Sequence, residues 1–348
     1  MIRTRQQSGR GDAALLSVRG LEVTFPTRHG TLVAVDDISF DIAAGEILGV
    51  VGESGAGKSM TGNAVINLIE PPGRISAGEI RLAGERIDDL GSTALRRIRG
   101  RRIGMIFQDP LTSLNPLYSI GYQLAETIRA HLDLSAGQAR ERAVDLLDQV
   151  GIPDPAARLD AYPHQFSGGM RQRVVIALAL CADPELVIAD EPTTALDVSV
   201  QAQILTLLRR LCRERGTAVL LITHDMGVIA ETADNVAVMY AGRLIEHGPA
   251  TTVVQRPQHP YTVGLMGSIP RLDTEVDRLT QIPGSMPGLA AIPPGCAFHP
   301  RCPHAFGRCQ RERPDLMPAE STRAACWLHA ASGDRGPGPA VLRGPHDG

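Results

Sequence analysis

Eight consecutive residues, Gly52-Glu53-Ser54-Gly55-Ala56-Gly57-Lys58-Ser59, form a G-x-x-x-x-G-K-S run, a spacing suited to holding polyphosphate. The glycines let backbone N–H groups converge on one centre, the lysine places a compact positive charge on the outer phosphates, and the serine hydroxyl can ligate Mg²⁺. Lys58 is the only lysine among 35 Lys+Arg residues. Retaining one ammonium in a chain that otherwise uses arginine marks a position where a planar fork will not serve. Further on, the run LVIA at 186–189 ends in two adjacent carboxylates, Asp190 and Glu191. At the C-terminal edge of a strand, Asp190 can hold Mg²⁺ through water and Glu191 can orient or deprotonate an attacking water. Each pattern alone also describes an ordinary glycine turn or an acidic loop; their combination points to nucleotide chemistry.

Two more constellations could bind a ligand. Phe166-Ser167-Gly168-Gly169-Met170 precedes an apolar helical pattern running through residue 180, which places Ser167 and the Gly168 and Gly169 amides at a helix N-terminus able to receive an anion. An N-cap serine followed by a glycine turn is the plainer alternative. Cys296, Cys302, Cys309 and Cys326 stand at C-x5-C-x6-C-x16-C spacing in a proline-rich tail. Four thiolates can hold zinc or an iron–sulfur cluster, and no C-x-x-C pair marks a common zinc knuckle. Cys181 and Cys212 lie in helical patterns and read as small core residues.

The elements that must position these groups are legible as apolar runs. Residues 46–51 enter the glycine loop as a strand, and 59–69 leave it as a helix ended by Pro71-Pro72. Runs at 103–107, 186–189, 218–222 and 236–240 have the length of buried strands separated by helical patterns, which predicts an α/β fold with a mostly parallel sheet covered by helices. Residues 110–172 break this rhythm as a helical insertion, with Ala143, Leu146, Leu147 and Val150 at helical spacing within 138–150. The expected organisation is a disordered start at 1–14, the main domain over 15–265, a small loop-rich module at 266–330 and a disordered tail at 331–348.

Composition narrows the function. The net charge of −3 argues against a nucleic-acid binder with a basic surface, and the arginines at 96, 97, 99, 101 and 102 read as a solvated loop. The apolar run at 174–182 is far shorter than the roughly 18 residues of a membrane span, and the N-terminus has arginines without an apolar stretch behind them. The expectation is a soluble, intracellular chain, in which cysteines serve as core residues or metal ligands rather than disulfides.

The motif set closely resembles the nucleotide-binding domain of ATP-binding cassette proteins over about residues 16–265. Beside the phosphate loop, the Ser167-Gly168-Gly169 signature and the Asp190-Glu191 pair, Gln108 matches the family's Q-loop, Ala195-Leu196-Asp197 its D-loop and His224 its switch histidine. Phe166 and Met170 depart from the commonest signature, LSGGQ, while the serine and glycines are kept. The resemblance implies a P-loop NTPase fold with ATP contacts from Gly52 through Met60, and Mg²⁺ held by Ser59, Gln108 and Asp190. It implies catalytic roles for Lys58, Gln108, Glu191 and His224. Ser167, Gly168, Gly169 and Asp197 would act across a head-to-tail dimer, and Phe25 is the nearest match to the adenine-stacking aromatic, with core packing a nearly equal reading.

Three classes within the family carry a single chain of this kind: transporter subunits, repair ATPases and translation factors. Sustained heptads and a second signature are lacking, which leaves the transporter. The segments RPQHPYT at 256–262, GSIP at 267–270 and CAFHPRCP at 296–303 resemble the C-terminal region of ATPase subunits from dipeptide, oligopeptide and nickel importers. That resemblance implies a bacterial ABC importer ATPase, most readily for peptides, with nickel or another small solute, or a soluble ATPase outside transport, as alternatives. Implied partners are two transmembrane permease subunits, a second ATPase subunit of the same or a related chain, and an extracytoplasmic solute-binding protein, at the cytoplasmic face of the membrane. Some of these subunits carry a 4Fe-4S cluster at matching cysteines, which implies the same for Cys296, Cys302, Cys309 and Cys326.

Overall fold

The computed structural model describes residues 14–194, 196–268 and 281–330. The ends expected to be disordered, apart from Ala14, lie outside them, as do Ala195 and the last two residues of the GSIP segment. Twelve strands form two sheets: β1 (Leu16–Thr27), β2 (Gly30–Ile42), β3 (Ile47–Val51), β4 (Arg74–Leu82), β5 (Glu85–Arg86), β6 (Ile103–Ile106), β7 (Leu186–Asp190), β8 (Ala218–Ile222), β9 (Asn235–Tyr240), β10 (Arg243–Pro249), β11 (Met317–Ala319) and β12 (Thr322–Ala324). The main sheet runs β11-β12-β10-β9-β3-β8-β7-β6 and a smaller one β2-β1-β4-β5. All neighbours from β9 to β6 are parallel. These are the five apolar runs expected from the sequence.

Strand side chains alternate between two cores. Ile47 and Val51 of β3, with Val187 and Ala189 of β7, join the helices Gly168–Leu180 and Val198–Arg215 on one face. Leu48, Val50, Leu186 and Ile188 point the other way, onto the helix Lys58–Val65 and the antiparallel sheet. Burial on both faces explains why each parallel strand reads as an unbroken apolar run. The antiparallel sheet itself was not expected from the sequence.

The insertion consists of helices, as expected. In Ala136–Gln149, the Ser135 oxygen accepts the Gln138 N–H at 3.3 Å and the Gln138 side chain accepts the Ser135 N–H at 3.0 Å, a reciprocal cap. Ala143, Leu146 and Leu147 bury against Leu124 and Ile128 of the helix Ile120–His131. Among the described residues, no helix is long and apolar enough to cross a membrane.

Two expectations need correction. The helix after the glycine loop ends at Val65, because Asn67 takes a left-handed backbone, φ 51°, before the Pro71-Pro72 pair is reached. The arginine cluster is not a solvated loop: Arg99 donates to the carbonyls of Ile66 and Asn67, Arg101 to that of Ala182, and Arg102 pairs with Glu85 and Glu185. Arg99 and Arg101 thereby satisfy carbonyls at helix and turn ends. In the loop-rich C-terminal module, β12 pairs antiparallel with β10 and continues the main sheet.

Candidate nucleotide site

The parallel strands deliver the predicted residues to one edge. β3 runs straight into the glycine loop, and Gly57 caps the following helix with φ +100°. A Cβ there would stand 2.8 Å from the Ala34 carbonyl oxygen, so both the turn and the close backbone approach require glycine. Lys58 is buried, and its Nζ donates to the carbonyl oxygens of Gly52 at 2.9 Å and Glu53 at 3.1 Å. Ser59 Oγ donates to Asp190 Oδ1 at 2.9 Å, joining the loop to the end of β7.

Glu191 stands one residue beyond that strand. Its N–H donates to Ile222 O at 2.8 Å, and its φ of 45° is unusual for a residue with a side chain. Three groups surround its carboxylate: Thr194 Oγ1 at 2.7 Å, Gln108 Nε2 at 3.2 Å and His224 Nδ1 at 3.2 Å. Gln108 follows β6, Glu191 follows β7 and His224 follows β8, so three neighbouring strand ends meet around one carboxylate. Thr194 was missed from sequence, although a hydroxyl three residues after a candidate acid is a usable signal.

Burial and hydrogen bonding set the two acids apart. Burial pushes the Asp190 carboxyl above its ordinary range, and the Ser59 hydrogen bond only partly opposes this. Glu191 also feels desolvation, but its hydrogen bonds from Thr194 and His224, aided by the Lys58 charge, hold it below the ordinary carboxylate range. The Lys58 ammonium is lowered by burial, with Glu191 and Asp190 acting to keep it charged. One ammonium and two carboxylates thus share a confined space whose charge balance a Mg²⁺–phosphate ligand would change.

The remaining predicted residues lie in separate places. Ser167 caps the helix Gly168–Leu180, its oxygen accepting the Met170 N–H at 3.3 Å. Asp197 caps Val198–Arg215, accepting the Val200 N–H at 2.9 Å and the Ser199 hydroxyl at 2.7 Å. Among the described residues, the hydrogen bonds and ion pairs leave both groups unconnected to the glycine loop of the same chain. Phe25 is half-buried on β1, its ring crowding Gly73, and like Met60 it packs against the core beneath the antiparallel sheet.

The four tail cysteines line one small cavity of about 10 Å³ together with His259, His299 and His304. Backbone N–H groups of Phe298 and His299 donate to Cys296, that of His304 to Cys302 and that of Leu328 to Cys326. Yet among the described residues no group of three or more His, Cys, Asp or Glu side chains is disposed to hold a metal ion. The expected metal centre is therefore not a ready-made site; it is a set of converging thiols with room for about one water. Burial pushes Cys296 up to about 11 and Cys326 to about 12, so both are protonated near neutrality. The donor set fits a thiolate-bound cluster, provided the cavity opens and the protons leave.

Comparison with known proteins agrees with this geometry. Residues 35–194 match the family model described as ABC transporter, and residues 245–309 match the oligopeptide/dipeptide transporter C-terminal region. The dipeptide transport ATP-binding protein DppD of Escherichia coli K12 is 47% identical over 90% of this chain and 96% of its own. The oligopeptide transport ATP-binding protein OppD of the same organism is 51% identical over 86% and 89%. Among solved structures, the dimeric post-hydrolysis state of the ATP-binding cassette MJ0796 bound to ADP and Pi aligns with a TM-score of 0.61 at 27% identity, covering 68% of this chain and 98% of that one. A chain with this sheet, this cluster of strand-end residues and relatives at this identity over nearly its whole length belongs to the ABC transporter family, as an ATP-binding subunit with the oligopeptide/dipeptide C-terminal region.

Proposed function

We propose that this protein hydrolyses ATP to drive import of dipeptides or oligopeptides. In this reading it works at the cytoplasmic face of the membrane, with two permease subunits, a second ATP-binding subunit of the same or a related chain, and an extracytoplasmic solute-binding protein. The observation that carries the hydrolytic part is the convergence of Gln108, Thr194 and His224 on Glu191, next to the Lys58–Ser59–Asp190 group. The solute class rests on DppD and OppD, which cover nearly the whole chain.

Phosphoryl transfer to water needs charge neutralisation and an aligned nucleophile more than covalent help. Loop amides from Gly52 to Ser59, with Ser54, Gly55 and Ala56 between, would wrap the phosphates. Lys58 would exchange its two carbonyl partners for phosphate oxygens. Ser59, Gln108 and Asp190 would hold Mg²⁺, which when bound would supply positive charge to neutralise the phosphates. Glu191, kept ionised by its neighbours, would orient the attacking water and take its proton, while His224 would contact the γ-phosphate. Ser167, Gly168, Gly169 and Asp197 would complete the site of the other subunit, in accord with their separation from the glycine loop here.

Coupling to transport requires a surface that reaches both Gln108 and a membrane subunit. A groove of about 390 Å³ begins beside Gln108, lined by Leu68, Arg99, Phe107, Thr127 and Val175 among others. Beyond it Leu117 is 79% exposed, and Tyr118 and Tyr122 stack in the open with ring centres 4.7 Å apart. Exposed apolar side chains next to a nucleotide-sensing glutamine are suited to receiving a permease helix.

We further propose that Cys296, Cys302, Cys309 and Cys326 hold a 4Fe-4S cluster with a structural role. The tail's own small core holds Ala319, Ala324, Cys326 and Leu328 with Phe306 against them, while Phe298, Cys296 and Cys302 pack on the main core, so a covalent crosslink would add order between the two.

Lys58→Ala and Glu191→Gln should fail differently. Lys58→Ala removes the phosphate charge partner and should abolish nucleotide binding; Glu191→Gln should bind Mg·ATP, with hydrolysis reduced by about two orders of magnitude or more. Equal hydrolysis by Glu191→Gln and wild type in the assembled transporter would refute the role of Glu191.

The pH profile tests the role of Thr194. Glu191 must be ionised to act, and its lowered pKa keeps it ionised as pH falls. Thr194→Ala deletes the 2.7 Å hydrogen bond, so the Glu191 pKa should rise and the acid limb of the ATPase profile move to higher pH. An acid limb unmoved by Thr194→Ala would mean that another group controls it.

Protein purified without oxygen should be brown, carry about four iron and four sulfide per chain, and lose both on Cys302→Ser. Colourless anaerobic protein with one zinc would replace the cluster by a different crosslink, and colourless protein without metal would remove both.

A further inference from the structure

The glycine loop is held from outside by a residue of the cysteine module. Arg301, immediately before Cys302, reaches back 248 positions to Glu53, with Nη1 3.0 Å from Glu53 Oε2. Its side chain is only 8% exposed, whereas that of Glu53 is 28% exposed. Arg301 also donates from Nε to Pro283 O at 2.8 Å and from Nη1 to the Tyr240 hydroxyl at 3.3 Å. Its guanidinium carbon lies 5.8 Å from the centre of the Tyr240 ring and 5.9 Å from that of Phe298. Tyr240, Tyr261 and Phe298 pack edge to face around it, with ring centres 4.8 to 5.4 Å apart. An arginine fixed on this many sides has little freedom left to lose when it pairs with Glu53.

A second contact from the same cluster reaches the same residue. The Glu53 backbone N–H donates to the Tyr261 hydroxyl at 2.9 Å. The Glu53 carbonyl, in turn, is one of the two that hold Lys58. Glu53 is thus gripped by side chain and backbone while it helps to seat the phosphate-binding ammonium. Its carboxylate also poses an electrostatic problem, because it sits in a loop shaped for a polyanion. Unpaired, its negative charge would oppose a polyanion bound in the same loop.

We propose that Arg301 and Tyr261 are positioning residues for the glycine loop: Arg301 neutralises Glu53 and draws its carboxylate aside, Tyr261 fixes its backbone, and together they set the affinity for Mg·ATP. Neither residue belongs to the glycine loop itself. The proposal rests on the reading of the loop as an ATP site, which binding of Mg·ATP to the wild-type chain tests separately.

The test is a double-mutant cycle on the full-length protein, with the dissociation constant of Mg·ATP as readout. Arg301→Met should weaken binding about tenfold when Glu53 is present, because it frees a carboxylate beside the phosphates. In a Glu53→Gln background the same substitution should weaken binding no more than about twofold, since no charge remains to be neutralised. Equal weakening in both backgrounds would make Arg301 a structural residue of the tail, and no weakening in either would also overturn the proposal. Should Arg301→Met fail to fold, Tyr261→Phe decides: it keeps the ring and removes only the oxygen that accepts the Glu53 N–H. Several-fold weaker Mg·ATP binding is then expected, and wild-type affinity would contradict the proposal.

Discussion

A buried ammonium with no ligand to neutralise is costly unless neighbouring groups solvate it, and Lys58 is solvated by the loop that carries it. The carbonyls of Gly52 and Glu53 take the place of water around its Nζ, while Asp190 and Glu191 supply opposing charge. Much of the architecture serves this arrangement. The left-handed Gly57 bends the loop, β3 anchors its start between β8 and β9, and β7 brings the two acids to the same edge. Phosphate oxygens would offer Lys58 stronger acceptors than the carbonyls do, so the loop presents its ammonium where a polyphosphate would take it over.

The same edge separates two acids that are adjacent in sequence. Asp190 ends β7, facing Ser59, where burial pushes its carboxyl above the ordinary range. Glu191 turns away through a left-handed backbone into a polar nest made by Thr194, Gln108 and His224. One peptide unit thus separates the acid beside Ser59 from the acid among Thr194, Gln108 and His224, the two positions proposed to face metal and water. The strained φ at Glu191 accompanies that division, and its N–H is secured by Ile222 of the neighbouring strand.

Legibility in the sequence followed the range of the interactions. The glycine loop, the acid pair and the cap at Ser167 are local patterns in which spacing dictates geometry, and the parallel strands were visible because burial on both faces leaves unbroken apolar runs. The antiparallel sheet was not visible, since β1 and β2 carry mixed burial and register shifts that blur their alternation. The arginines at 99, 101 and 102 were misread because the carbonyls and carboxylates they serve are brought to them by the fold. No local signal could have paired Arg301 with Glu53. The cysteines were recognisable as a set, and the structure does bring them to one cavity, but the closeness of their thiols is a matter of packing that spacing does not specify.

The central claim, that Lys58 waits on its own loop and is transferred to the nucleotide, is tested most directly by a structure of the Glu191→Gln protein with Mg·ATP. The account predicts that Lys58 Nζ leaves the carbonyls of Gly52 and Glu53 for the β- and γ-phosphate oxygens, with Ser59 and Asp190 facing the magnesium. Lys58 still bound to those carbonyls, with the triphosphate held elsewhere, would contradict it.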